Sequence, residues 1–397
     1  MHILVVGALP SSLVNFRGPL LRAMRARGHK VFAAAGGPDV STAASLAEWG
    51  VDCCPIRIAR AGMNPLTDML TLLDLTRLIR RVRPDAVLSY TVKPVVYGGL
   101  AARSAGVKRV FSMIEGLGFG FMEPASIRQW LAGRVAAGLY RLSLRYSQVV
   151  FLLNPDDLAL FISRRFVRRE QAVLVNGTGV DLDHYRVSPV PSAPVFLMVA
   201  RLLADKGVRE YAVAARMLRE ETAGRKNGTG QTANRSRFLL VGATDANPAS
   251  IREGELTAWQ AEGIIEYWGW MDDVRPAFAE CSVYVLPSCY REGLPRTVLE
   301  AMSMGRPVIT TDAPGCRETV ILTALGREQR ARSEPVMEGE NGFLVRPRDA
   351  AAVAAAMAKF LEHPELVEHM GSRSRKLAEE KYDVHKVNAT MMEAMGL

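Results

Sequence analysis

The stretch REGLPRTVLE, Arg291 to Glu300, sets two carboxylates eight positions apart across a Gly-Leu-Pro turn. An apolar run, Val283 to Leu286, leads into Pro287, and a helical pattern carrying Glu300 and Ala301 follows the turn. A strand, a glycine turn and a helix start together make an anion site, because the first amides of a helix lack intrahelical acceptors and sit at the positive end of its dipole. Acid at both edges of such a site calls for a ligand with hydroxyls as well as phosphate, and a nucleotide sugar has both. The bland alternative is that Glu292 caps the turn while Glu300 lies on a solvated face.

Upstream, Val195 to Ala200 reads as a buried strand that runs into Arg201-Leu-Leu-Ala-Asp-Lys206-Gly207, with a helix beginning near Val208. A guanidinium and an ammonium at the carboxyl end of a strand suit a diphosphate, the first through paired hydrogen bonds and the second as a point charge.

At 397 residues the chain is too long for one core, so two domains are expected. Apolar residues at 49% and charged residues at 23% describe an ordinary globular protein. No run of about 18 apolar residues occurs, and MHILVVGALP reads as a first parallel strand, too short and too soon ended by Pro10 for a secretory signal. Five cysteines, Cys53, Cys54, Cys281, Cys289 and Cys316, with no CxxC pair, imply reduced thiols and a cytoplasmic setting, with neither disulfides nor zinc.

Charge divides unevenly. Residues 1–186 hold 24 Lys and Arg against 13 Asp and Glu, a net of +11; the rest hold 26 against 28, a net of −2. Of the 24 cations 21 are Arg, which favours phosphate and can lie at a lipid interface.

The fold class expected is α/β. Apolar runs at 3–6, 31–35, 86–89 and 109–113 alternate with helical patterns, the signature of stacked βαβ units. After a proline-rich linker, VSPVPSAP at 187–194, the pattern restarts at Val195, Phe238, Ile264, Val283 and Pro307. The expected organisation is therefore a domain at 1–186, the linker, a second Rossmann-like domain at 195–375 facing the first across a cleft, and a terminal helix at 376–397. Residues 222–237 and 322–338 fit no regular element and read as surface insertions.

Asp181-Leu-Asp183 matches a metal-binding Asp-x-Asp, but it lies just before the linker and not after a core strand, and no other acidic cluster exists; no metal is expected. The segment 127–151 places Arg134, Arg141 and Arg145 in one stripe, with Arg128 and Trp130 before it. It reads either as a helix packed on the sheet with a solvated arginine face or as an interfacial helix on anionic headgroups, with Arg164, Arg165, Arg168 and Arg169 as a second cluster. No motif supports nucleic acid as a partner. None of the six histidines lies in a candidate site.

The chain resembles a retaining glycosyltransferase of family 4, with the GT-B fold. The resemblance rests on VARLLADKG (199–207), the pair Glu292 and Glu300, EAMSMGRPVITTD (300–312), GCRETV (315–320) and ENGFLV (340–345). NFRGPL (15–20), RGHKV (27–31), YTVKPVVYGGLAA (90–102) and EGLGFGF (115–121) are similar to a branch that moves N-acetylhexosamine-type sugars from a UDP donor to undecaprenyl-diphosphate-linked saccharides.

The resemblance implies that Glu300 holds the ribose, Arg201 and Lys206 the diphosphate, and Glu292 with the Gly293 and Leu294 amides the donor hexose. Asn15, Arg17, Lys93, Glu115 and Gly116 fall to the acceptor, and catalysis to Glu292, Lys206, Arg201 and Glu115. Where some family members carry a histidine, this chain reads Tyr90-Thr-Val-Lys93. The implied partners are a UDP-sugar, a polyprenyl-diphosphate-linked saccharide and an anionic membrane surface on the cytoplasmic side, with no cofactor. A UDP-N-acetylhexosamine epimerase of the same fold and a silent binding protein are the alternatives.

Overall fold

The computed structural model describes residues 1–59, 64–116, 127–224, 236–245, 247 and 249–397. It divides into two compact units, Met1–Gly179 with Val384–Leu397, and Val180–Asp383.

In the first unit seven parallel strands, β1 (His2–Val6), β2 (Lys30–Ala35), β3 (Asp52–Pro55), β4 (Ala86–Tyr90), β5 (Arg109–Ile114), β6 (Val149–Leu152) and β7 (Ala172–Leu174), lie in the order β3-β2-β1-β4-β5-β6-β7. Strand β1 is central, with Val5 opposite Ala33 on one side and Leu88 on the other. Its residues read as an unbroken apolar run because both faces are covered. The covering helices are α1 (Pro10–Asn15), α2 (Gly18–Ala26), α3 (Val40–Glu48), α4 (Pro65–Val82), α5 (Gly99–Ser104), α6 (Ile127–Leu144) and α7 (Pro155–Ser163). Asn64 starts α4 by accepting the Leu66 amide, with Pro65 in the first turn. A π-helical turn, Pro94–Gly98, joins β4 to α5 and packs on both α4 and α6.

In the second unit β8 (Val195–Val199), β9 (Arg237–Val241), β10 (Glu266–Tyr267), β11 (Val283–Leu286), β12 (Val308–Thr311), β13 (Val336–Glu338) and β14 (Gly342–Val345) follow the order β10-β9-β8-β11-β12-β14-β13. Only the edge strand β13 runs antiparallel. Around them are α8 (Val208–Gly224), α9 (Glu253–Ala261), α10 (Arg275–Ala279), α11 (Arg296–Ser303), α12 (Ala324–Ala331), α13 (Ala350–Glu362) and α14 (Glu365–Leu377). A last helix, α15 (Val384–Met395), packs on α2 and β6 in the first unit, where Arg109 and Arg27 donate to its terminal carbonyls.

Three expectations change. Residues 322–338 are not an insertion without structure: they hold α12, which packs on β13. The prolines at 187–194 do not form a free linker, because the chain passes between units at Gly179 and Val180, and buried Arg306 binds the carbonyls of Ser188 and Pro189. The second crossing is at Asp383 and Val384, so the terminal element of the first unit begins there and not at 376. The insertion read at 222–237 lies mostly outside the described residues.

Candidate functional site

Two clusters form, one at the carboxyl ends of the strands of each unit. In the second unit β8 ends in the loop 201–207, whose backbone is tied to the neighbouring loop by Leu202 donating to Ala243 and Ala204 to Ala249. The Asp205 carbonyl accepts the amides of Cys289 and Tyr290, joining this loop to the one after β11. Gly207 takes a left-handed conformation (φ 80°), and a Cβ there would meet the Pro287 carbonyl oxygen at 2.1 Å. Only glycine lets the two loops close this tightly.

That closure puts the Lys206 ammonium 2.5 Å from Glu292 Oε1, with Ser288 Oγ donating to the same oxygen at 2.8 Å. Lys206 also lies 5.6 Å from the centre of the Tyr290 ring. Both members of the pair are largely buried. Glu292 is held from behind by its amide, which donates to Pro314, and Gly315 (φ 83°) has no room for a Cβ against the Glu292 carbonyl at 2.4 Å. Gly293 is buried and Leu294 half-buried just ahead of α11, whose N-cap, Pro295, supplies no side-chain acceptor.

Glu300 is buried on α11, one turn after Arg296, whose Nε donates to it at 2.9 Å. Burial raises the Glu300 carboxyl above the ordinary glutamate value, against the opposing pull of Arg296 and the Tyr185 hydroxyl. Arg201 is half exposed and lies 3.4 Å from Asp245.

In the first unit Arg17 is 1% exposed, with its guanidinium 4.7 Å from the Tyr90 ring centre and hydrogen-bonded to Glu115. Its Nε is buried without a hydrogen-bond partner. The Tyr90 hydroxyl shares a 2.8 Å hydrogen bond with Ser12, and burial pushes its phenol well up. Thr91, the next residue, is left-handed (φ 65°), a strained state for a β-branched side chain, and its hydroxyl is buried without a partner. Lys93 pairs with Asp68 of α4 at 2.7 Å. Glu115 and Gly116 follow β5 directly, whereas Asn15 is exposed at the end of α1.

The structure thus joins Lys206 to Glu292 and Arg17 to Glu115, while Lys93, Arg201 and Glu300 each take a partner that the sequence reading missed: Asp68, Asp245 and Arg296. Asp68 had a signal, an acid on the buried face of an amphipathic helix. Ser12 in α1 and Tyr90, Ser288 and Tyr185 at strand ends or loops had none.

Asp181 does not pair with Asp183 around a shared space; its carboxylate accepts the amides of Asp183 and His184, closing a turn. Of the arginine stripe on α6, Arg141 donates to the Arg164 carbonyl and lies over the Phe166 ring. Arg128 and Trp130 fall outside the described side chains. All five cysteines are free thiols. Among the described residues no helix is long and apolar enough to cross a membrane.

The family model "Glycosyl transferase 4-like domain" matches residues 17–177, and "Glycosyl transferases group 1" matches 193–363. An N,N'-diacetylbacillosaminyl-diphospho-undecaprenol alpha-1,3-N-acetylgalactosaminyltransferase of Campylobacter jejuni is 26% identical over 324 residues, 78% of this chain and 80% of its own length. An Escherichia coli UDP-Gal:alpha-D-GlcNAc-diphosphoundecaprenol alpha-1,3-galactosyltransferase is 26% identical over 63% of each chain. Among solved structures, HepE of Anabaena in complex with UDP and glucose matches all of this chain and 99% of its own at 18% identity, with a TM-score of 0.73. Two parallel-sheet units with strand-end clusters, matched along both halves by these domain models, make the chain a GT-B hexosyltransferase of the family 4 glycosyltransferases.

Proposed function

We propose that the chain moves an N-acetylhexosamine-type sugar, N-acetylgalactosamine foremost, from its UDP donor to a polyprenyl-diphosphate-linked saccharide during surface glycan assembly, with retention at the anomeric carbon. The observation that carries this reading is the buried Lys206–Glu292–Ser288 cluster in the loops after β8 and β11. An ammonium held there by a carboxylate suits the oxygens of a departing UDP. The relative from Campylobacter jejuni supplies the choice of sugar and acceptor.

In this reading Lys206 and Arg201 bind the diphosphate and neutralise charge as the C–O bond breaks, which lowers the barrier because they act where charge develops. No metal or cofactor has a part in it. Glu292, with the Gly293 and Leu294 amides, orients the donor hexose, and Glu300 accepts hydrogen bonds from the ribose hydroxyls. On the other unit Arg17, steadied by Glu115 and Tyr90, takes the acceptor diphosphate, with Asn15, Lys93 and Gly116 beside it. Attack on the same face, with the leaving phosphate as base, accounts for retention without a protein nucleophile. The enzyme works on the cytoplasmic face of an anionic membrane, to which the +11 of residues 1–186 is drawn.

The test is UDP release from a panel of UDP-sugars, with and without an undecaprenyl-diphosphate saccharide, in chelator. Release that needs both UDP-N-acetylhexosamine and the lipid acceptor, and that persists in chelator, is the expected outcome. An epimerised donor formed without acceptor would overturn it in favour of the epimerase, a reading the transferase relatives do not favour.

A further inference from the structure

Among the described residues five other than glycine have positive φ, Arg83, Thr91, Arg165, Ser333 and Arg348, and Thr91 alone of them is β-branched. At φ 65° its side chain crowds its own backbone, and a chain keeps such a residue only where the surroundings fix it from both sides. Before Thr91, Tyr90 is fully buried and bonded to Ser12, and a Cβ on Gly7 would stand 2.2 Å from its hydroxyl oxygen. After it, the Thr91 carbonyl accepts the Val95 amide at 3.0 Å, Lys93 is tied to Asp68, and the Val95 carbonyl accepts Ser143 Oγ at 2.6 Å.

This clamp leaves the side chain of Thr91 unsatisfied. Its hydroxyl is buried without a hydrogen-bond partner, and so is Nε of Arg17, whose guanidinium lies 4.7 Å from the centre of the neighbouring Tyr90 ring. Arg17 is 1% exposed, and its Nη2 is committed to Glu115. Each unpaired buried polar atom destabilises the fold. Glycine would make the same turn with neither the strain nor the orphan hydroxyl. A threonine kept at this position therefore has a use outside the packing of the free protein.

We infer that the Thr91 hydroxyl is a further acceptor-binding group, left open in the free protein to donate to a phosphate oxygen of the lipid-diphosphate acceptor alongside Arg17 and Lys93. This rests on the acceptor reading proposed above and adds to it a residue selected for its hydroxyl. The chemistry of the ligand follows from the open atoms. Arg17 Nε can only donate, the Thr91 hydroxyl can donate beside it, and Lys93 two residues on brings a further N–H donor group. Donors gathered at one strand end call for an oxygen that carries negative charge, which a diphosphate offers and a sugar hydroxyl does not. Fixing the Thr91 backbone in advance lowers the ordering cost of binding.

The experiment measures kcat/KM on two water-soluble acceptors with the same saccharide, one on a short-chain polyprenyl diphosphate and one on an uncharged alkyl chain. Thr91→Val keeps the shape and the strain and removes only the hydroxyl. Its preference for the diphosphate acceptor, the ratio of the two kcat/KM values, should fall at least about tenfold. Its melting temperature should hold or rise, because the hydroxyl it loses is unpaired. Thr91→Ser, which keeps the hydroxyl, should restore most of the preference. Should Thr91→Val not fold, Thr91→Gly, which accepts φ 65° without strain, carries the same test. An unchanged preference in a folded variant that lacks the hydroxyl overturns the inference; a lower melting temperature with it would mean that the hydroxyl serves the fold through a bound water. An equal loss on both acceptors also overturns it, by giving the hydroxyl to the saccharide. If the unaltered protein prefers neither acceptor, the diphosphate reading itself fails and the inference falls with it.

Discussion

The strand-end cluster of the second unit and that of the first solve different problems. Around Lys206 every group is tied: the ammonium to Glu292, Glu292 to Ser288, and three loops to one another through Asp205, Gly207 and Gly315. Around Arg17 the groups are less settled, since its Nε has no partner, the Thr91 hydroxyl has none, and the Thr91 backbone is strained. A rigid cluster suits a small ligand of fixed shape, such as a nucleoside diphosphate. Unmet donors beside a basic, partly apolar surface suit a larger ligand that completes the site as it binds. In the proposed function, leaving-group departure falls to the first kind of site and the selection of acceptor to the second.

Removing Lys206 should break the comparison hardest. Lys206→Ala is expected to lower kcat about a thousandfold and, by leaving Glu292 buried without its ion, to cost about 3 kcal/mol of stability. Lys206→Ala/Glu292→Gln separates the two effects: the melting temperature should recover while turnover does not. Recovery of turnover in the double variant would show that Lys206 serves only to neutralise Glu292.

Arg17 should show the opposite division. Arg17→Ala is expected to reduce kcat/KM for the lipid acceptor about a hundredfold, while UDP binding, measured by calorimetry, stays as it was. Arg17→Lys should rescue little, because an ammonium keeps the charge but not the planar stack on Tyr90. An equal loss of UDP affinity would merge the two clusters into one functional unit.

How much of this could be read from residues alone follows the same line. The Lys206–Glu292 cluster was legible as a place in the fold because loops at the ends of neighbouring strands carry its parts in short motifs, REGLPRTVLE above all, and the strands behind them are unbroken apolar runs. The pairings of Arg17 and Lys93 were not, since Glu115 lies 98 residues from Arg17 and Asp68 lies 25 from Lys93. Only folding brings them together, and the one trace of it in the residue pattern is Asp68, an acid on the buried face of α4. Helix α12 escaped for another reason: ALGREQRA buries little beyond Gly326, so it has no apolar stripe to show. The prolines at 187–194 suggested a linker because their composition cannot reveal that Arg306, 118 residues on, claims the Ser188 carbonyl.

The smallest expected effect concerns Glu300, and it tests whether the proposed donor site carries its own pH response. Burial raises its native carboxyl above the ordinary value of 4.5. A raised acid favours the folded state while it is protonated, so its contribution to stability is full below 4.5 and declines as pH rises through the native value. The proposed ribose binding runs the other way, because only the carboxylate can accept from both hydroxyls. Between 4.5 and the raised native value, UDP affinity should therefore climb with pH, no more steeply than about tenfold per unit for one proton, while the melting temperature declines relative to Glu300→Gln. In that variant, which cannot ionise, calorimetry should give a weaker and flatter affinity profile. A wild-type profile as flat as the variant's would mean that Arg296 and Tyr185 keep Glu300 ionised throughout, and that the donor site binds with the same charge at every pH the fold survives.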